Sequence, residues 1–297
     1  MKKILLTGTS GFLGGNFLNS IIKNKVTVLD ILREKNKNNK YLENLRKENK
    51  NYKSIFFKNS KDLKKKIKNK KFDVFINFAT YYKNSHHFHD IENIINSNIS
   101  FPTNILDIVS SKIKFFINFG TMMEYDNKKK FSPLNLYASS KKAFEKIINY
   151  YEKNNKNCSF YNIKIYETFN IKDAREKILP TILRSFLLKK KFNLAFKNLK
   201  INVVHTSDIN NFLKKIINDN VKPGNYLLKN KREIKILKLL QDIKKLDCKN
   251  FVYSVNNTKI IKKKIKKYEN LKTIELNYDV CNEILSYLNE NNKNKNK

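Results

Sequence analysis

Tryptophan is absent from this chain of 297 residues, and cysteine, proline and glycine are scarce, with three, four and six copies. Cys158, Cys248 and Cys281 are odd in number, far apart and never in a C-x-x-C pair. That excludes a disulfide framework and a cysteine-built zinc site, and a reducing cytoplasm is the simplest setting. Each cysteine reads as a small apolar packing residue. No stretch approaches the roughly 18–20 apolar residues that span a bilayer, so no membrane helix is expected. Met1-Lys2-Lys3 before Ile4-Leu5-Leu6 imitates a signal peptide, but Gly8 and Gly11 arrive before an apolar segment can form.

Acidic residues are also short, 26 against 62 lysines and arginines, for a formal charge of +36. A field this basic binds polyanions non-specifically at low salt. The excess is nearly all lysine, interleaved with asparagine over the whole length, with few arginines and no focused basic and aromatic motif. A dedicated nucleic-acid role is therefore not expected. Lysine acts as the default surface residue, an outcome that compositional drift produces by itself, together with the shortage of Gly, Pro and Trp. The field would still steer an anionic substrate.

What is present is a chain 40% apolar, enough to bury a core in one large α/β unit or two joined domains. Ile4-Leu5-Leu6-Thr7 leads into Gly8, Gly11 and Gly14, and then into helical periodicity through Phe17, Leu18, Ile21 and Ile22. This is a strand, a tight turn and a helix N-terminus of the kind that holds a dinucleotide pyrophosphate. Gly8 takes the turn, Gly11 lets the backbone approach phosphate, and Gly14 lets the helix pack on the strand. Val26-Thr27-Val28-Leu29-Asp30 is a second buried strand, ending in a carboxylate about 20 residues after the glycines. An aspartate there holds ribose hydroxyls and repels a 2′-phosphate, which favours NAD; Arg33 close by leaves NADP open. Strands are expected near 2–7, 25–30, 53–58, 72–78, 114–120 and 158–166, alternating with helices near 12–23, 61–70, 91–111 and 134–153. That alternation predicts a doubly wound parallel sheet of Rossmann type. Residues 33–53 should cover little core, Pro133 should open the last of these helices, and further helices are expected near 175–190, 208–219 and 232–246.

Tyr137-Ala138-Ser139-Ser140-Lys141 places a phenol and an ammonium on one helix face. A nearby positive charge favours the phenolate, which suits the tyrosine to proton transfer.

In this order the motifs resemble the extended short-chain dehydrogenases/reductases of the nucleotide-sugar epimerase/dehydratase group. Thr7-Gly8-Thr9-Ser10-Gly11-Phe12-Leu13-Gly14 resembles that family's cofactor turn, and the resemblance extends to about residue 215. It implies a cofactor-binding set of Gly8, Gly11, Phe12, Leu13, Gly14, Asp30, Asn59, Ala79, Asn98, Tyr137 and Lys141. It also implies a catalytic triad of Thr121, Tyr137 and Lys141, with hydride transfer between nicotinamide and a sugar carbon. Thr80, Met122, Thr168, Arg175 and Lys177 are implied to meet the nucleotide sugar, and His205-Thr206-Ser207-Asp208 resembles a late H-V-x-D element. The expected organisation is a dinucleotide-binding domain at 1–166, a smaller α/β substrate lobe at 167–288, and a disordered tail at 289–297. A homodimer through the helices at 91–111 and 134–153 follows by analogy.

Departures from the family pattern narrow the chemistry. The 4,6-dehydratases that resemble this chain carry an Asp-Glu pair after the threonine, whereas Met122 and Met123 stand here, and thioethers do not transfer protons. The segment around Thr121 and Tyr137 is closer to a subgroup that includes CDP-abequose and CDP-paratose synthases, which reduce 4-keto-6-deoxysugars. The expectation is that reduction, or an epimerisation with a retained cofactor, in surface-polysaccharide precursor synthesis. The alternative is a non-catalytic NAD-binding member of the same fold. Thr168 and Asn170 depart from the family's substrate segment. His86, His87 and His89 lack the partners of a metal site and read as substrate loop or surface, with no metal expected. Ile260–Lys267 is either a basic amphipathic helix or ordinary lysine-rich surface.

Overall fold

The computed structural model describes residues 1–125, 133–247, 251–258 and 271–295. Its first unit comprises Met1–Ile165 and Asn210–Leu227 with Leu271 and Lys272. Apolar runs become strands β1 (Lys2–Thr7), β2 (Val26–Arg33), β3 (Tyr52–Phe57), β4 (Val74–Asn77), β5 (Phe115–Thr121) and β6 (Ser159–Ile165). Every residue of β4 and β5 is buried, because helices cover both faces of a parallel sheet and leave no side for polar alternation. The intervening helices are α1 (Phe12–Ile21), α2 (Lys40–Glu48), α3 (Ser60–Ile67), α4 (Asp90–Ile95), α5 (Phe101–Val109) and α6 (Leu136–Asn154). Helix α2 buries only Leu42. Leu5, Phe75 and Phe116 from the sheet pack with Ile105, Leu106, Phe144 and Ile148 from α5 and α6 in one apolar core. Burial of such side chains, about 1.5–3 kcal/mol each, is the main term holding the layers together.

Beyond Ile165 the chain forms β7 (Glu167–Phe169), α7 (Ile178–Leu187), β8 (Phe192–Leu194), β9 (Lys200–Ile201), β10 (Val203–His205), α8 (Thr206–Ile217), β11 (Gly224–Asn230), β12 (Ile234–Lys235), α9 (Ile236–Leu246), β13 (Tyr253–Val255), β14 (Lys272–Leu276) and α10 (Val280–Lys295). The main sheet has the order β14-β11-β6-β5-β4-β1-β2-β3. The strands from β1 to β6 pair in parallel. The order reverses at β1, which carries the glycine turn at its C-terminal end, the place where open α/β sheets bind ligands.

The second unit has its own core, in which Phe169, Leu183, Phe186, Leu239, Leu240, Ile284 and Leu288 meet. Three two-stranded ribbons frame it: β10 with β7, β12 with β9, and β13 with β8. The units interleave along the chain, since Asn210–Leu227 returns to the first unit after Tyr166–Ile209 has entered the second.

Two expectations need correction. Pro133 does not open α6; Asn135 caps it, its side chain accepting from Ala138 N at 2.9 Å. An asparagine oxygen satisfies a free amide at the helix start, which proline does not. The polar tail is not disordered through residue 295, because Ile284 and Leu288 anchor α10 in the second core. Asn292 ties that extension down by donating to Leu246 O at 3.0 Å. Once nucleated, a helix adds residues at little cost. Cys248 and Ile260–Lys267 lie outside the described residues.

Candidate active site

The turn after β1 is built for close backbone approach. Gly8 has φ +74°, a conformation that side chains disfavour. A Cβ there would lie 2.6 Å from the Ala79 N and Phe78 C atoms, and one at Gly14 would lie 2.3 Å from Gly8 O. Gly11 N donates to Gly8 O at 3.0 Å, and Gly11 takes the N-cap position of α1, next to Phe12 and Leu13 in its first turn. The first turn of a helix is where backbone amides can meet an anion.

Asp30 is fully buried in β2. Thr9 Oγ1 and Tyr52 OH donate to the same oxygen, Oδ2, at 2.7 and 2.6 Å, while Oδ1 has no hydrogen-bond partner among the described residues. Burial pushes the Asp30 pKa above the usual carboxylate range, and Ser54, Thr9, Tyr52 and Arg46 offset only part of this. A bare, buried carboxylate oxygen is an unmet acceptor that a ribose hydroxyl satisfies. Arg33 donates to Ser97 Oγ at 2.9 Å. Asn59 uses its side-chain oxygen to cap α3 through Asp62 N at 3.0 Å.

Tyr137 and Lys141 stand on the first turns of α6, which packs against β5 and the short turn that follows Thr121. Tyr137 is half-buried and meets Tyr82 edge-on, with ring centres 4.9 Å apart. Lys141 is 4% exposed and has no hydrogen bond or ion pair among the described residues. Burial lowers its pKa to about 8; Glu124 works to raise it and Lys164 to lower it further. Thr121 ends β5 in a reciprocal cap: Thr121 Oγ1 accepts from Met123 N at 3.2 Å, and Thr121 N donates to Glu124 Oε1 at 2.9 Å. The threonine oxygen thus serves local backbone, and its hydroxyl can still donate one hydrogen bond. Met122 is buried beside it.

Asn98 ties the segment after β4 to α6. Its Oδ1 accepts from Tyr81 N at 2.7 Å and Thr80 Oγ1 at 3.0 Å, and its Nδ2 donates to Ser140 Oγ at 2.9 Å. Ser140 Oγ in turn donates to Tyr137 O at 2.7 Å. Asn98 sits inside a π-helical turn, Asn96–Ser100, that interrupts the expected long helix; such turns commonly serve to aim a side chain. Ala79 N donates to Thr7 Oγ1 at 3.3 Å. From Thr7 a buried side-chain chain crosses the sheet through Asn77, Asn118 and Asn162 at 2.7, 3.1 and 2.9 Å. His87 and His89 stack on the surface with ring centres 5.6 Å apart.

In the second unit Arg175 donates to Thr168 O and Oγ1 at 2.7 and 3.0 Å and pairs with Asp173 at 2.8 Å. Lys177 lies 3.3 Å from Glu167. His205 stacks on Tyr278 with ring centres 3.8 Å apart and shares a 2.6 Å hydrogen bond with Ser207 through Nδ1.

Sequence reasoning missed a buried charge cluster at the centre of the first unit. Lys164 of β6, 1% exposed, pairs with both Glu124 and Glu145, and Lys142 pairs with Glu145 at 2.9 Å. Burial works against the Lys164 ammonium, but the two carboxylates outweigh it and raise its pKa. Two signals were available: the T-x-x-E spacing of a capping box at Thr121 and Glu124, and a lysine between two isoleucines in a strand expected to be buried.

These residues fit NAD: a turn without room for Cβ atoms and, among the described residues, a carboxylate oxygen without a partner at Asp30 and an ammonium without one at Lys141. Comparison with known proteins agrees. The curated relatives include CDP-abequose synthases from Salmonella muenchen (22% identical; 76% of this chain, 73% of theirs) and Yersinia pseudotuberculosis (27%; 70% of each). Similar solved structures include a mutant UDP-glucuronic acid 4-epimerase from Bacillus cereus with UDP-4-deoxy-4-fluoro-glucuronic acid and NAD. It has a TM-score of 0.77, 16% identity and 99% coverage of both chains. Another is dTDP-glucose 4,6-dehydratase from Bacillus anthracis with NAD, at TM-score 0.75 and 17% identity, covering 100% of this chain and 98% of that one. The model of the NAD dependent epimerase/dehydratase family matches residues 4–228. The chain belongs to that family and is an enzyme of its NAD-dependent, nucleotide-sugar type.

Proposed function

We propose that this enzyme carries out a Tyr137-assisted oxidoreduction at a nucleotide-sugar carbon, the reduction of a 4-keto-6-deoxysugar. The observation that carries this reading is the turn after Thr121. Its first two side chains are the thioethers of Met122 and Met123, and its one carboxylate, Glu124, is bound by Lys164 and the Thr121 amide. Among the described residues of that turn no acid or base stands unpaired to eliminate water, which favours carbonyl–alcohol interconversion. Similarity to CDP-abequose synthases supports a keto-deoxysugar as substrate.

Tyr137 exchanges the proton with the sugar oxygen, and Thr121 donates its hydroxyl hydrogen to the same oxygen. Lys141 holds a ribose hydroxyl of the dinucleotide and favours the phenolate. Gly8, Gly11 and Gly14 admit the pyrophosphate, with Phe12 and Leu13 in the adjoining first helical turn, and Asp30 takes the adenosine ribose. Asn59, Ala79 and Asn98 complete the cofactor set. The dinucleotide, when bound, supplies the redox chemistry. Thr80 and Met122 border the sugar, with Thr168 beside Arg175. Arg175 and Lys177 bind the diphosphate, Lys177 by exchanging its half-exposed partner Glu167 for a stronger anion. Ile91, Ile95 and Tyr150 expose apolar surface on α4 and α6, which supports a homodimer through those helices; sedimentation tests it.

A second reading, epimerisation with a retained cofactor, is favoured by Asp30, whose carboxylate suits NAD over NADP. The test is a panel of CDP-, dTDP-, UDP- and GDP-sugars, including 4-keto-6-deoxysugars, with the released dinucleotide identified by mass spectrometry. Net oxidation of reduced nicotinamide supports the reductase, and epimer formation without net nicotinamide change supports the second reading. Bound dinucleotide with no response to any sugar overturns both.

A further inference from the structure

The segment between β4 and α4 sets an aromatic ring against Tyr137. Tyr82 meets that ring edge-on, with centres 4.9 Å apart and planes at 84°. Hydrogen bonds fix the backbone around it. Asn98 Oδ1 accepts from Tyr81 N at 2.7 Å, and Asn98 Nδ2 donates to Tyr81 O at 3.1 Å. Tyr81 OH and His87 N donate to the two oxygens of buried Asp90 at 2.7 and 3.0 Å, which closes the segment on itself. Asn135, the cap of α6, donates to Asn84 O at 3.1 Å and so joins the helix that carries Tyr137 to the segment that carries Tyr82. For all this ordering, Tyr82 stays 37% exposed. Fixing backbone costs conformational entropy, and a ring left partly open offsets less of that cost than a core ring does. A rigid aromatic surface beside the reacting position is the material of a ligand site.

We propose that Tyr82 is a specificity-determining residue whose ring receives the C6 side of the sugar and favours a 6-deoxy methyl group over a hydroxymethyl group. This rests on the oxidoreductase reading, in which the oxygen at C4 of the sugar is bonded to the Tyr137 phenol. That bond is about 2.7–2.8 Å long, so the atoms flanking C4 come within reach of the ring that touches Tyr137. One flank carries the C3 substituent and the other carries C6, which in a 6-deoxysugar is apolar. A methyl group laid on the Tyr82 ring removes apolar area from water. A hydroxymethyl group in the same place gives up water for a surface that does not return its hydrogen bond. Apolar surfaces reject an added hydroxyl only modestly, by up to about a hundredfold. The partial exposure of Tyr82 places the expected preference lower, at about tenfold.

The experiment is a calorimetric titration of the full chain loaded with NADH, a cofactor form with which a sugar alcohol does not react. The probes are CDP-glucose and CDP-6-deoxyglucose, which differ only at C6, with the matching dTDP pair and the free nucleoside diphosphates alongside. The parent is expected to bind the 6-deoxysugar about tenfold more tightly than its 6-hydroxy counterpart. Tyr82→Phe keeps the ring and is expected to keep that ratio. Tyr82→Ala is expected to bring the ratio close to one, and Tyr82→Asn, which sets an amide in place of the ring, to bring it to one or below. Affinity for the free nucleoside diphosphates should not change in any variant. A merely structural ring would weaken both sugars alike and leave their ratio in place, and that result would overturn the proposal. So would a parent without preference, or a ratio lost in Tyr82→Phe. If Tyr82→Ala does not fold, the contrast between Tyr82→Phe and Tyr82→Asn decides alone. The ratio is read from binding, whereas the oxidoreductase reading fails on turnover, so the two failures are distinguishable.

Discussion

Tyr52 donates its hydroxyl to Asp30 Oδ2 at 2.6 Å, and Oδ1 of this fully buried carboxylate has no hydrogen-bond partner among the described residues. Thr9 shares that same Oδ2, so both donors hold one oxygen of the group. Asp30→Asn removes a charged acceptor worth about 1.5–3 kcal/mol to a hydrogen-bonded partner. The expected result is an NAD dissociation constant raised about tenfold to a hundredfold, with weaker discrimination against NADP. Calorimetric titration with both dinucleotides reads this.

Lys141 carries a built-in stability cost. Burial lowers its pKa from 10.5 to about 8, so between those values the unfolded chain binds the proton that the folded chain has released. Stability then rises with pH across that window, and the cost is fully present below about 8. At about 1.36 kcal/mol per pH unit the cost is about 3 kcal/mol. Lys141→Met, similar in length and uncharged, is expected to stabilise the cofactor-free protein at pH 7 by up to about that amount. The gain should fade as pH rises through the window while turnover is lost. Urea unfolding at several pH values measures it.

Gly14→Ala puts a methyl group 2.3 Å from Gly8 O. Neither atom sits on a flexible side chain, so α1 must move off β1. The expected outcome is a loss of about 1–3 kcal/mol and of NAD binding, seen by thermal unfolding and titration.

Asn98→Ala leaves Tyr81 N and Thr80 Oγ1 without their acceptor and Ser140 without its donor. Ser140 is buried, where an orphaned group costs about 1–3 kcal/mol, while Tyr81 is half-buried and Thr80 exposed and cost less. The turn carrying Tyr137 loses its tie to the segment after β4, so kcat should fall more than NAD affinity. Steady-state rates with parallel binding data separate the two effects.

The six parallel strands were legible because a sheet covered on both faces needs long apolar runs, and Phe75-Ile76 or Phe116-Ile117 stand out in so polar a chain. The glycine turn was legible because steric need leaves few substitutes at Gly8 and Gly14. The π-helical turn at Asn98 was not, since its cause is tertiary: one amide bridging two segments far apart in sequence. Glu124 and Lys164 were hidden differently. A lysine in β6 carries little weight among so many lysines, and the thioethers of Met122 and Met123 drew attention from the acid that follows. The last helix was obscured because its anchors, Ile284 and Leu288, precede the polar run they hold.

The most direct test of the account compares the parent enzyme with Tyr137→Phe, which removes only the hydroxyl. Turnover of the sugar identified from the panel and NAD affinity are measured on the same samples. The account predicts turnover reduced to background with NAD affinity nearly unchanged. Unchanged turnover would remove Tyr137 from the chemistry and contradict the central claim.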